Sequence, residues 1–164
     1  MNIKKMHLFL LLVLIVVLAC CVLFCILRSC EPIVPEDGRL TVDKNAVDIM
    51  DGSSHGDAPS AGSISIPGFE KMTIPAGKSK VGCNIYNPEK NSCYFVAVIS
   101  LDDGREIYRS DLISPGKAIY SMTLSEPLED GIYNATLTYY CYATDENQTE
   151  LNGATTHFIL EVTP

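Results

Sequence analysis

Between Leu8 and Leu27 the chain reads LFLLLVLIVVLACCVLFCIL, with no charged residue and nothing polar apart from its cysteines. A helix of this run, rising about 1.5 Å per residue, spans roughly 30 Å, the thickness of a bilayer's hydrocarbon core. Two other readings compete with an uncleaved anchor. A cleavable secretory signal has an apolar core of about 7–15 residues followed by a small-x-small cleavage site; this run is longer and no such site follows it. A lipoprotein signal is the other, because VLAC ending at Cys20 resembles a lipobox. Leu18 before Ala19 fits it poorly, however, and the chain stays apolar through Leu27. The run is therefore expected to be a transmembrane helix over residues 7–27.

Charge sets its orientation. Lys4, Lys5 and the amino terminus precede the run, and Arg28, Glu31, Glu36 and Asp37 follow it. Positive flanks stay in the cytoplasm. The expectation is a single-pass plasma-membrane protein with residues 1–6 inside and the carboxyl-terminal part extracellular. That outer part is acidic: residues 31–61 carry seven acidic and two basic side chains, and residues 62–164 carry thirteen and seven. Such a surface repels nucleic acid, and no basic stripe offsets it.

Residues 28–61 read as an acidic flexible stalk, since DGSSHGDAPSAG at 51–62 holds almost nothing to bury. LTVDKNAVDIM at 40–50 contains enough apolar residues for a short ordered turn or helix. His55, among small and acidic neighbours, reads as an exposed loop residue. From residue 62 to 164 short apolar stretches alternate with turn residues. Strands are expected at 63–66, 70–74, 79–86, 93–101, 105–109, 117–124, 131–142 and 154–163. The punctuation between them is PG at 67, PAG at 75, NPEKN at 87, DDG at 102, SPG at 114 and EPLEDG at 126. About 7–8 strands with turn signals every 8–12 residues predict an all-β fold, an immunoglobulin-like antiparallel β-sandwich.

Alternation assigns the faces. Cys93, Phe95, Ala97, Ile99 and Leu101 point one way, and Tyr133, Ala135, Leu137, Tyr139 and Cys141 match them. Phe158, Leu160 and Val162 complete the set, with Val81, Cys83 and Ile85 across from them. LEDGIY resembles a tyrosine corner with Tyr133 at its centre. If 93–101 pairs antiparallel with 131–142, Cys93 and Cys141 come close on the core face. A Cys93–Cys141 disulfide, a Cys83–Cys141 bridge between sheets, and three buried thiols are all compatible with the pattern, because sequence does not fix connectivity.

Catalysis by a thiolate needs a neighbouring base. His157 falls on the opposite parity from Phe158 and Leu160, so it points away from the cysteines, and no catalytic residue is assigned. The cysteines lack a fourth metal ligand, and Asp102 and Asp103 in DDG lack the further carboxylates of a calcium site, so no metal or cofactor is assigned either. A hairpin turn accounts for DDG. NAT at 134 and NQT at 147 fit the glycosylation pattern. The opposite face of the same strands gathers Tyr94, Val96, Val98, Tyr140 and Tyr142, flanked by Ile159. Exposed tyrosines with aliphatics mark an interaction face, unless a neighbouring segment or the stalk covers them.

The stretches ISIPGFEKMTIPAGK, NPEKNSCYFVAVISLDDGREIYRSDLISPGK and LEDGIYNATLTYYCY, with LNGA and DKNA, resemble a family of small membrane-anchored surface proteins of Gram-positive gut bacteria. The resemblance covers roughly residues 40–164 and carries no functional residue with it. Some relatives bear a tRNA uracil-methyltransferase name, yet this chain shows no glycine-rich cofactor loop and no basic face. The expected role is a non-catalytic interaction or structural module, its partner another surface or envelope protein. The alternatives are a solute- or glycan-binding lipoprotein anchored through Cys20 and, more remotely, an enzyme.

Overall fold

A computed structural model of the chain describes residues 39–50 and 64–164. The apolar run 7–27 and the rest of the expected stalk lie outside these residues. Among the described residues no helix is long and apolar enough to cross a membrane.

The described chain is all β, arranged as two sheets around one core. Its strands are β1 (Val47–Asp48), β2 (Lys71–Pro75), β3 (Lys80–Asn87), β4 (Cys93–Leu101), β5 (Glu106–Arg109), β6 (Lys117–Thr123), β7 (Gly131–Ala143) and β8 (Glu150–Thr163). The larger sheet has the order β2-β8-β7-β4-β5 and the smaller β1-β6-β3. β8 begins at Glu150, earlier than alternation alone suggested. Of the expected strand 63–66, residues 64–66 are described and form no strand, the chain being irregular from Ile64 up to β2.

Among the described residues the named strands pair antiparallel except at one edge, where β2 runs parallel to β8, Met72 opposite Leu160. The expectation of a wholly antiparallel fold is corrected there. Apolar alternation, which predicts the strands, carries no information about relative direction.

The inward faces follow the sequence pattern. Phe95, Ala97, Ile99, Leu137, Tyr139, Cys141 and Leu160 are fully or almost fully buried, and Val81, Ile85, Ile119 and Met122 of the smaller sheet pack into the same core. The Phe95 and Tyr139 rings lie 4.9 Å apart. Cys83 is only half-buried, because the β3–β6 register shifts between Gly82 and Ile85. Tyr133 makes the expected corner bond, its hydroxyl donating to the Glu129 carbonyl at 3.0 Å.

Two buried asparagines from NPEKN stitch the turn before β4. The Asn87 side-chain amide donates to the carbonyls of Cys93 (2.8 Å) and Ile113 (2.9 Å), and Asn91 donates to Asn87 Oδ1 (2.9 Å). Asn91 also clasps Ser65, accepting from its backbone N–H and donating to its carbonyl, both at 3.0 Å. Buried amides are retained where each donor and acceptor is matched in this way.

The largest departure concerns the expected stalk. Of its residues, 39–50 are described, and they are part of the fold. Leu112 N–H donates to the Thr41 carbonyl and Asp43 N–H to the Leu112 carbonyl, both at 2.9 Å, so Val42 bridges Leu112 in parallel. β1 then pairs with β6, Asp48 opposite Lys117, and the two side chains form an ion pair at 2.7 Å. The reason is apolar shelter: Leu40 closes over Val96, Val98 and Leu112.

Candidate functional site

The residues singled out on the outward face are brought together as strand parity requires. Tyr94 lies opposite Tyr142, Val96 opposite Tyr140 and Val98 opposite Thr138. The face is not open, however. Val96 and Val98 are buried, and Leu112 is completely so. Leu112 lies against them from within the chain and Leu40 from the 39–50 strap, while Tyr94, Tyr140 and Tyr142 are half-buried at the rim. The two valines are therefore corrected from surface to interior. Ile159 stands apart: it pairs with Asn134 and Lys71, farther along the sheet, and is exposed.

The strap is clamped at its start by the loop between β7 and β8. Gln148 Oε1 accepts from the Leu40 N–H and Gln148 Nε2 donates to the Leu40 carbonyl, both at 2.8 Å. A residue read at both its backbone N–H and its carbonyl is held in register as in a strand pair. Gln148 adopts φ of 49°, the left-handed region. At the other rim, the Arg109 guanidinium lies 5.8 Å from the Tyr140 ring centroid and donates two hydrogen bonds to the Glu106 carboxylate, at 2.7 and 2.8 Å.

The cysteines lie as the register dictates. Phe95 opposes Cys141 and Cys93 opposes Ala143, so Cys93 and Cys141 are diagonal neighbours on the core face. Both are free thiols, as is Cys83. Burial pushes the Cys141 thiol up to about 12, with Cys93 adding to the rise, and pushes Cys93 up as well. Cys83 is raised to about 11 by burial. Such thiols are poor nucleophiles. His157 is exposed, paired with Thr136 on the other face of the sheet. The Asp102–Gly104 stretch is a hairpin turn: Gly104, at φ 86°, donates to the Leu101 carbonyl, and Asp103 pairs with Arg105 at 2.8 Å. Asn134 and Asn147 are both exposed.

One feature escaped the sequence pattern altogether. A pocket of about 200 Å³ opens where β5 meets β6, lined by Tyr108, Arg109, Asp111, Ser121, Met122 and Thr123 and by Asp43 and Asn45 of the strap. Tyr108 enters it because the β4–β5 register shifts between Ile99 and Ser100, turning Ile107 and Tyr108 both inward. Asp43 is 7% exposed. Its Oδ1 accepts from the Asn45 N–H at 2.8 Å and its Oδ2 from the Asp111 N–H at 3.0 Å, which fixes the carboxylate. Asp111 is an exposed residue whose carboxyl is raised by partial desolvation and then by Asp43, with Lys44 opposing the rise. A carboxylate beside a buried tyrosine was legible only as scattered polar residues, since it depends on a bulge and on a strap from a distant part of the chain.

No protein-family profile and no curated protein matches the chain.

Proposed function

We propose that the chain is a non-catalytic surface module: a single-pass plasma-membrane protein, amino terminus inside, displaying an immunoglobulin-like β-sandwich that docks another surface or envelope protein. On this reading it belongs with the membrane-anchored surface proteins its stretches resemble. The observation that carries the proposal is the rim of Tyr94, Tyr140 and Tyr142, half-buried around a seam that Leu40 and Leu112 fill. A sealed apolar seam fixes the rings, and fixed tyrosines bind with little loss of side-chain entropy while offering both an apolar face and a hydroxyl. The shifted cysteines and the exposed histidine support the non-catalytic reading, because they offer no thiolate and base within reach of each other.

The test is cross-linking and co-purification of the full-length membrane protein, wild type against Tyr140→Ser/Tyr142→Ser. The double variant is expected to keep its near-UV signature and lose the cross-linked partner. A folded double variant that recovers the same partner in the same yield sinks the reading.

A further inference from the structure

The pocket between β5 and β6 is lined by a buried tyrosine without a hydrogen-bond partner among the described residues. Tyr108 is 8% exposed, yet its hydroxyl makes no hydrogen bond with any described residue. Two other buried polar atoms lack partners, Tyr139 Oη and Thr156 Oγ1, and both are sealed from solvent. The Tyr108 hydroxyl is not among the sealed atoms, so it reaches the pocket that its side chain lines. A phenol so placed keeps its proton available to an acceptor that enters the pocket.

The surrounding groups state what would satisfy it. Asp43 uses one lone pair on each carboxylate oxygen for a backbone N–H and keeps the others. The Asp111 carboxylate accepts from no described residue. Ser121 and Thr123 add hydroxyls. The site thus offers the fixed Asp43 carboxylate and the exposed Asp111 carboxylate as acceptors, and the Tyr108 phenol and Arg109 guanidinium as donors. A bare cation would satisfy the acceptors and leave the phenol's proton unmatched. Among the described residues, moreover, no group of three metal-ligating side chains assembles. A hydroxyl group does both, donating its own proton and accepting another. The volume, about 200 Å³, lies below the roughly 300–1,000 Å³ of sites for drug-sized ligands and suits a single small ring.

We infer that this pocket binds one polyhydroxylated ring, a monosaccharide unit, whose hydroxyls donate to Asp43 and Asp111 and accept from Tyr108. The site is separate from the tyrosine rim and stands or falls independently of it. Burial raises the Tyr108 phenol above its ordinary value, with Asp43 contributing, so it stays a donor at neutral pH. Because Asp43 and Asn45 belong to the strap, an occupied pocket also holds the strap in place.

The experiment uses the full-length chain in phosphocholine nanodiscs, free of sugar-based detergent. Glucose, galactose and N-acetylglucosamine are titrated by calorimetry and saturation-transfer NMR, alongside the trisaccharide of N-acetylglucosamine and methylammonium. At least one sugar is expected to bind saturably and to slow amide exchange at Asp43 and Leu112. Tyr108→Phe keeps the ring and is expected to weaken binding about fivefold; Asp111→Asn, which removes a charged acceptor, about tenfold or more. Tighter binding of the trisaccharide identifies a glycan as the source, and equal binding identifies the free sugar; both support the inference. Saturable binding of methylammonium alone, no saturable binding at all, or sugar binding unchanged in both folded variants overturns it.

Discussion

Replacing Gln148 by glycine isolates the clamp that starts the strap. The side chain makes two hydrogen bonds to the Leu40 peptide, both at 2.8 Å and both partly buried. At about 0.5–1.5 kcal/mol each, their loss amounts to about 1–3 kcal/mol. Alanine would keep the strain that Gln148 already carries, since φ is 49° at this position and a Cβ there costs roughly 1–2 kcal/mol. Glycine removes that strain and adds freedom to the unfolded chain of similar size, so the two backbone effects roughly offset. The clamp is what remains. Its loss should act locally, since the core shared by the two sheets does not include Leu40. Native-state amide exchange reads it directly: the Leu112 N–H is covered by the Thr41 carbonyl and the Asp43 N–H by the Leu112 carbonyl. In Gln148→Gly both amides should exchange about 5- to 150-fold faster, while Leu137 and Ile99 amides change far less. Equal protection of Leu112 and Asp43 in the two proteins would refute the clamp.

Two further substitutions test the interior. The Tyr139 hydroxyl is buried without a partner, so Tyr139→Phe should leave stability unchanged or raise it by up to about 2 kcal/mol, read from the denaturant midpoint at constant slope. A loss above about 1 kcal/mol would mean that the hydroxyl has a partner after all. The second concerns alkaline pH. Cys83 and Cys141 are raised from 9.0 to about 11 and about 12. The unfolded chain gives up these protons first, so their contribution is intact below about pH 9 and disappears as pH rises through the folded values. The midpoint should therefore fall between pH 9 and 11, and Cys83→Ala/Cys141→Ala should flatten part of the fall. An equally steep fall in that variant assigns the effect to Tyr108 and Tyr139, whose phenols are also raised by burial.

The strands and their inward faces were legible because alternation with period two is imposed by the backbone itself. Cys93 through Leu101 gave one core face, and β7 gave its match down to Cys141. The covered outer face was half legible. Val96 and Val98 alternate with Phe95, Ala97 and Ile99, so β4 is apolar at both parities through its middle, the mark of a strand buried on both sides. What covers it was not legible. Leu40 sits in a short, acidic, weakly apolar stretch that resembles a linker, and its partner Gln148 lies in a polar loop. Only the assembled sheet brings them together. The pocket was hidden for a related reason: a one-residue register shift at Ile99–Ser100 turns Tyr108 inward, and bulges of this kind have no reliable signature in a single sequence.

The strap also sets an order in time. Leu40 and Gln148 are 108 residues apart. At about 5–20 residues per second, synthesis of the intervening chain takes roughly 5–20 s. Throughout that interval Leu40 has left the ribosome without the loop that clamps it, and Val96 and Val98 emerge before their cover can lock. The seam closes only once Gln148 has emerged, so the nascent protein carries an unsealed apolar strand face while the residues between Val98 and Gln148 are made. Chaperone capture of stalled chains ending between Leu101 and Ala143, and its release once Gln148 has emerged, would be the signature of this late closure.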